Sequence, residues 1–336
     1  MWFKNLVLYR FSQNTDITAE TLEEGLSQQP FRPCGKTELS SYGWVSPVPN
    51  GETLLHQSGN FLTLAAKKEE RILPTSVVRD AVNQKVDQIE ADQGRKVFKK
   101  EKDQIKDETT LDLLPRAFTR SGITRAYIDT RGGWLIVDAS SFRKAEELTS
   151  TLRSALGSLP VVPPALANSP AATMTQWLEQ QAATLPSSIT LGDECELKDL
   201  GEDGGTIRCK RHDVLADEII NHLNTGMQVS KLAIHWNEAL SCIIGDDFLI
   251  RRLKFTDTLQ EQSESLNAED EASRFDADFT LMAGTLAEFL KELITVMGGE
   301  EEKEESVWET KATISSEQEQ EQEQEEEEEE EEEAPF

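Results

Sequence analysis

The sequence has no long hydrophobic run. Among its 336 residues, no stretch approaches the roughly 18 uncharged apolar residues that a membrane-spanning helix requires. The first eleven residues, MWFKNLVLYRF, place Lys4 and Arg10 inside a short apolar run and contain no small-residue cleavage site. Neither membrane insertion nor secretion is expected, and a hydrophobic content of 37% is sufficient for the cores of two or three soluble domains.

Cysteine is also scarce. The chain has four cysteines, at wide and irregular spacing: Cys34, Cys195, Cys209 and Cys242. This spacing is not that of a disulfide framework, which favours reduced thiols and residence in a cytoplasm. Two of them form a C-x13-C-x2-H-x9-H series with His212 and His222 that matches no standard zinc spacing. The favoured interpretation places both cysteines on strands beside a turn at 203–205 and His222 on a helix surface, with no metal bound.

The usual catalytic motifs are missing. There is no G-x4-G-K-[ST], H-E-x-x-H or G-x-S-x-G motif, and no G-x-G-x-x-G follows a strand pattern. Asp276 and Asp278 form a D-x-D pair that is chemically suited to Mg²⁺ and phosphodiester cleavage. Asp278, however, stands where the N-cap of the last predicted helix belongs, and the cap is the favoured interpretation. The sequence therefore predicts neither an enzyme nor a cofactor.

Charge is sorted along the chain. The formal net charge is −29, but residues 300–336 alone carry 19 acidic residues and two lysines, ending in nine consecutive glutamates at 325–333. Such a self-repelling segment is expected to be a disordered tail. Half of all Lys and Arg residues, 17 of 34, fall within 67–144, where they outnumber the 13 acidic residues. Because a local field decides which ligands approach, DNA is not excluded as a partner.

The first part of the chain reads as an α+β domain interrupted by helices. Its patterns predict a strand over 2–11, a helix from a Thr18 cap to about residue 29, and strands around Trp44 and over 61–66. The insertion shows apolar residues at helical spacing: Val78, Val82, Val86 and Ile89. Pro115 is expected to end the insertion. Strands over 123–129 and 134–138, joined by a turn, and a helix ending at Gly157 follow.

A proline-rich stretch over 159–170 marks the main boundary. Beyond it the patterns predict a helix around Trp177, a helix over 213–224, strands over 228–236, 239–245 and 248–255, and a last helix from Asp278 to Gly298. The predicted fold class is α+β, with antiparallel-sheet domains. The predicted segments are a central domain over 1–73 and 119–158, a helical tip insertion over 74–118, a base domain over 159–299, and the tail over 300–336.

One group of charges in the tip insertion has a regular spacing. It contains four basic residues at spacings of four, three and four: Arg95, Lys99, Lys102 and Lys106. On the predicted helix they share a sector of about 40° over roughly 17 Å and are expected to form one basic stripe, which Lys96 and Lys100 extend. Interleaved acidic residues leave an ordinary solvated helix face as the alternative. Without a helix-turn-helix signature or an aromatic series for base stacking, only contact with the DNA backbone is expected.

Several motifs together resemble one family. They are MWFKNLVLYR at the start, KKEERILP over 67–74, LLPRAFTR over 113–120, SLPVVP over 158–163, EDGGTIR over 202–208, RRLKF over 251–255 and RFDADF over 274–279. In this order they resemble the RdgC family of bacterial recombination-associated proteins, across about residues 1–299. The resemblance implies a protein that binds double-stranded DNA independently of sequence, and it leaves open whether the protein also binds single-stranded DNA. It also implies a nucleoid-associated, ring-shaped homodimer that restrains a RecA-type recombinase without catalysis.

The resemblance also implies roles for individual residues. Phe118 becomes a candidate contact between the tips of two subunits, with an ordinary core position as the alternative. Arg116 and Arg120 flank it and are expected to line the hole of the ring. Further DNA-binding candidates lie in the base: Lys210, Arg211, Arg251, Arg252 and Lys254.

The acidic tail is the departure from the family, whose members end near Gly298. Two interpretations stay open for it: competition with DNA for the basic hole, or a solubility tail without specific contact. A rival function is also open, in which an acidic protein-interaction factor binds the recombinase directly and DNA binding is incidental.

Overall fold

The computed structural model describes residues 1–13, 17–201, 204–265 and 270–301. They form twelve strands: β1 Val7–Phe11, β2 Ser40–Val45, β3 Leu55–Ser58, β4 Phe61–Ile72, β5 Phe118–Asp129, β6 Trp134–Val137, β7 Val161–Val162, β8 Ile189–Lys198, β9 Thr206–Lys210, β10 Gln228–Trp236, β11 Leu240–Gly245 and β12 Ile250–Phe255. The helices are α1 Ala19–Ser27, α2 Thr75–Gln93, α3 Lys99–Leu113, α4 Phe142–Leu156, α5 Pro170–Glu179, α6 Asp217–Asn224, α7 Asp257–Ser265 and α8 Glu271–Val296. The predicted α+β class with antiparallel sheets is confirmed.

The strands form two antiparallel sheets. The first has the order β2-β4-β5-β6-β1-β7, with β3 also paired to β4. Within it β4 and β5 pair over all twelve residues, from Phe61 opposite Asp129 to Ile72 opposite Phe118. On its other edge β4 pairs with β3 and β2, and the end of this long β4–β5 arm carries the tip insertion. The second sheet has the order β12-β11-β10-β8-β9.

The N-terminal segment joins the two sheets. Backbone hydrogen bonds link Leu6 to Ile250 in both directions, at 2.8 and 3.2 Å, and Leu253 donates to the carbonyl of Lys4 at 2.8 Å. The segment then continues into the first sheet as β1. The strand predicted over 2–11 is thus divided between two sheets, and only its second half is a strand of the first.

Helix α8 lies between the sheets. Its Phe279 ring packs against Tyr127 of the first sheet with centroids 5.7 Å apart, and its Phe289 packs against Trp236 of the second at 5.6 Å. Residues of both sheets and of α8 therefore share one hydrophobic core. Helices α1 and α4 cover the other face of the first sheet. Burial of α8 on both sides explains why its apolar pattern is dense.

The tip insertion contains two helices, whereas the predicted basic stripe requires all its residues to lie on one helix. Helix α2 ends at Gly94, which has the left-handed backbone (φ 62°) that glycine adopts at little cost. Helix α3 begins at Lys99, and the two pack through a small core around Val78, Val82 and Ile105. The prediction of one continuous stripe is wrong, because Arg95 and Lys96 lie in the connection between the helices.

The start of α8 also differs from its prediction. The N-cap is Asp270, whose carboxylate accepts from the Ser273 amide at 2.6 Å, and Asp278 lies inside the helix. The cap interpretation of Asp278 is therefore wrong. The short helix α7 was not predicted. None of the helices in the described ranges is long and apolar enough to cross a membrane.

Candidate nucleic-acid interface

The second sheet has one covered and one open face. Helices α5, α6 and α8 pack against the covered face, where they contact sheet residues such as Leu232, Ile234 and Trp236. Because strand side chains alternate, the intervening positions point to the opposite face. That face carries a group of basic residues that we call the base face: Arg208, Lys210, Arg211, Lys231, Arg251, Arg252 and Lys254.

Glu196 organises the centre of the base face. Its carboxylate accepts hydrogen bonds from Arg208 Nε at 2.5 Å, Lys231 Nζ at 2.7 Å and Ser230 Oγ at 3.0 Å. Burial raises the pKa of Glu196, but the hydrogen bonds from Lys231, Arg208 and Ser230 outweigh it and hold the pKa at about 2. The carboxylate therefore stays charged near neutral pH and fixes two cations in place.

A second carboxylate positions Arg252. Both terminal nitrogens of this guanidinium donate hydrogen bonds to the Glu194 carboxylate, at 3.0 and 2.7 Å. This pair, with nearby Lys210 and Arg211, lowers the pKa of Glu194. Between these side chains the sheet has a concavity of about 230 Å³. The base face is thus a shallow surface whose arginines are held by fixed partners.

Two arginines of the base face, Arg211 and Arg252, have an irregular backbone conformation. The pairing of β11 with β12 shifts register between Ser241 and Ile243, which is a bulge, and Arg252 takes a left-handed backbone (φ 50°) there. Arg211, just after β9, has the same conformation (φ 54°). A bulge turns a side chain away from its regular direction, and here it directs Arg252 towards Glu194.

Three cations of the base face are exposed and unpaired. Within the described part of the chain, Lys210, Arg211 and Lys254 take part in no ion pair, whereas Arg251 pairs with Asp247 at 2.6 Å. The five strands of this sheet contain seven Lys or Arg residues and three acidic residues, so basic charge is in excess. The unpaired side chains are the ones available to an anionic partner.

The tip helix α3 has a different balance. It keeps four of the predicted lysines, Lys99, Lys100, Lys102 and Lys106, and none has an ion pair with a described residue. The same helix carries five acidic residues, one more than its lysines. Arg95 does not join them, because Glu101 binds its guanidinium at 2.7 and 2.6 Å. The geometry favours the base face over α3 as the stronger anion-binding surface.

Phe118 lies at the end of the long arm, flanked by exposed Arg116 and Arg120. Its side chain is 84% exposed, so the alternative of a core phenylalanine is wrong. Its cross-strand partner Ile72 is 48% exposed. An exposed pair of large apolar residues at the end of an arm is typical of a protein contact surface.

Comparison with known proteins gives a consistent result. A family model described as "Putative exonuclease, RdgC" matches residues 1–300. The "Recombination-associated protein RdgC" of Pseudomonas syringae pv. tomato is 51% identical over 303 residues, which cover 90% of this chain and 98% of that protein. The proteins of the same name from Pseudomonas putida and Pseudomonas aeruginosa are 50% and 49% identical over the same shares.

The chain belongs to the RdgC family. The family description contains the word exonuclease, whereas the name of the similar proteins refers to recombination and to no cleavage. A nuclease needs a site that holds a metal ion for phosphodiester cleavage, and the D-x-D pair of Asp276 and Asp278 is the sequence candidate for it.

The D-x-D pair does not form such a site. Residues two apart on a helix point in different directions, and here each carboxylate has its own partner. Asp276 binds His56 Nε2 at 2.8 Å, while Asp278 binds the Met1 amine and Ser263 Oγ. The two carboxylates connect α8 to its neighbours and do not converge on a common point.

The cysteine and histidine series does not converge either. Cys195 and Cys209 lie on the strands β8 and β9, as predicted, and the structure places them directly opposite each other; His222 lies on α6. Among the described residues, no group of three or more His, Cys, Asp or Glu side chains is placed to hold a metal ion.

Sequence reasoning missed two members of the base face, Arg208 and Lys231. A signal for the first was present, because Arg208 and Lys210 are two apart on a predicted strand and must share a face. Lys231 carried no such signal. Its position opposite Glu196 depends on the register of β10 against β8.

Proposed function

We propose that this chain is a sequence-independent DNA-binding protein that encircles duplex DNA as a ring-shaped homodimer and restrains a RecA-type recombinase. The observation that carries the proposal is the open base face, with its excess of basic charge and its unpaired Lys210, Arg211 and Lys254. Membership of a family named for recombination supports DNA as the anionic partner.

The geometry suits phosphates better than bases. Glu194 and Glu196 hold Arg252, Arg208 and Lys231 in fixed positions, which reduces the entropy lost when a polyanion binds. The cations lie on a sheet face and not on an element that projects into the major groove, where sequence is read. Phosphate contacts position a protein on DNA without selecting a sequence.

A homodimer would place two base faces around one DNA molecule. We propose that the tips of two copies meet through Phe118 and Ile72, in a self-complementary contact about a two-fold axis. Next to them lies a cavity of about 540 Å³, lined by Leu39, Leu73, Val78 and others. It is large enough to receive an aromatic side chain of the second copy. A second contact between the base domains would close the ring.

In this proposal the protein acts by occupancy, without catalysis or a cofactor. A ring on the nucleoid covers the DNA on which a recombinase filament would assemble. The rival is direct binding to the recombinase, in which case inhibition would follow recombinase concentration and not DNA occupancy.

Binding to two unrelated linear duplexes across a salt series tests the proposal. We expect equal affinities for both sequences and a steep linear fall of log K with log salt, by about 0.9 for each phosphate contact. Fluorescence anisotropy measures both. A strong preference for one sequence, or no binding at low salt by a chain ending at Glu301, would exclude sequence-independent binding through phosphates.

A further inference from the structure

We propose that residues 317–333 of this chain occupy the base face and compete there with DNA for Lys210, Arg211 and Lys254. The proposal rests on the proposed function only in naming DNA as the competitor, since the contact between the segment and the base face needs no DNA. The segment contains thirteen glutamates and four glutamines and no basic residue.

The density of charge along this segment is close to that along a DNA strand. In an extended chain, which advances about 3.3–3.6 Å per residue, the nine consecutive glutamates at 325–333 would carry about one charge per that length, with successive charges on opposite sides. Phosphates along one strand of B-DNA are about 3.4 Å apart along the axis. A basic surface that attracts one of these polyanions therefore also attracts the other.

The position at which the described chain stops allows the contact. The backbone is fixed as far as Glu301, whose amide donates to the carbonyl of Ala165 at 2.9 Å. Fifteen residues, 302–316, separate this point from the acidic segment, and they reach up to roughly 50 Å. The 141 residues of 159–299 correspond to a radius of gyration of about 14 Å, so this length spans the base domain.

The distribution of acidic residues favours the base face over α3 as the surface that binds the acidic segment. Helix α3 carries more acidic than basic residues and repels the segment, whereas the strands of the base sheet carry seven basic and three acidic residues. Glu194 and Glu196 already hold Arg252, Arg208 and Lys231. An incoming carboxylate therefore meets Lys210, Arg211 and Lys254, which have no ion pair with another described residue.

A contact within one chain acts at a high effective concentration, on the order of millimolar for a flexible connection. It weakens at high ionic strength, because exposed charges are screened over about 8 Å at physiological salt. The tail would thus lower DNA affinity most at low salt and make the salt dependence of the full chain shallower than that of a shortened one.

The first experiment compares the full chain, a chain ending at Glu301, and a full-length control in which all thirteen glutamates of 317–333 are replaced by glutamine. At 50 mM salt we expect both variants to bind duplex DNA at least about tenfold more tightly than the full chain, with the difference lost near 300 mM. Equal affinities of all three at low salt would overturn the proposal.

A second experiment needs no DNA and separates this inference from the proposed function. Acetic anhydride labelling, read by mass spectrometry, should modify Lys210 and Lys254 several-fold more slowly in the full chain than in the chain ending at Glu301, while exposed Lys36 reacts equally in both. Equal labelling would overturn the proposal. Protection of these lysines in a protein whose shortened form still fails to bind DNA would support the tail contact and overturn the DNA-binding function.

Discussion

The Phe118→Ala protein is expected to dimerise about a thousandfold more weakly than the original chain. Phe118 is 84% exposed at the end of the β4–β5 arm, and an aromatic anchor at the centre of an interface contributes about 2 kcal/mol or more. A two-fold axis uses each anchor twice, which doubles the loss. Sedimentation equilibrium over a concentration series measures the dissociation constant.

Phe98→Ala is the matched control. Phe98 is 76% exposed and lies at the other end of α3, so its replacement removes a similar side chain without touching the proposed contact. We expect its dissociation constant to stay within about twofold of the original. If Phe98→Ala dissociated the dimer and Phe118→Ala did not, the two subunits would meet through the connection between α2 and α3.

Replacement of Lys210, Arg211 and Lys254 by glutamine, in a chain ending at Glu301, is expected to weaken DNA binding for every sequence alike. Each lost phosphate contact makes the slope of log K against log salt shallower by up to about 0.9, so three make it shallower by up to about 2.7 per protomer. At 0.1 M salt this corresponds to a loss of up to roughly 500-fold. Fluorescence anisotropy across the salt series gives both quantities.

A triple replacement on the tip helix provides the comparison. Lys99, Lys100 and Lys106 are also unpaired with other described residues, but α3 carries an excess of acidic residues. Their replacement by glutamine is expected to change the slope by less than half as much. A larger effect on α3 than on the base face would move the DNA contact to the tip.

The sequence was most informative where local patterns decide the structure. The strands predicted over 228–236 and 239–245 lie within one residue of β10 and β11, because a tight turn follows each of them. The turn after β11 contains Gly245, Asp246 and Asp247, and Asp247 accepts a hydrogen bond from the Leu249 amide at 3.1 Å. Such turns are encoded by neighbouring residues and need no distant partner.

The tip insertion shows that a periodic pattern does not by itself establish one helix. The spacing from Arg95 to Lys106 fits a single helix, but α2 ends before Gly94 and α3 starts only at Lys99, so Arg95 lies outside both helices. The second helix folds back so that Ile105 packs near Val78 and Val82. Burial of these apolar residues outweighs the local helical preference of the connection.

The candidate site depends on long-range pairing, which the sequence did not reveal. Thirteen basic residues were predicted to bind DNA, and three of them, Arg95, Arg251 and Arg252, form ion pairs with other described residues. The pair between Arg252 and Glu194 joins residues 58 positions apart. Only the strand order of the second sheet and the bulge at Arg252 bring them together.

Retention on closed circular DNA tests the ring most directly. Protein bound at low salt to a covalently closed duplex circle, and to the same molecule cut once, is washed at a salt concentration that disrupts phosphate contacts. A ring that encircles duplex DNA stays on the circle and leaves the cut molecule through its ends. Equal release from both forms would contradict encirclement and leave a surface contact of the base face as the only mode of binding.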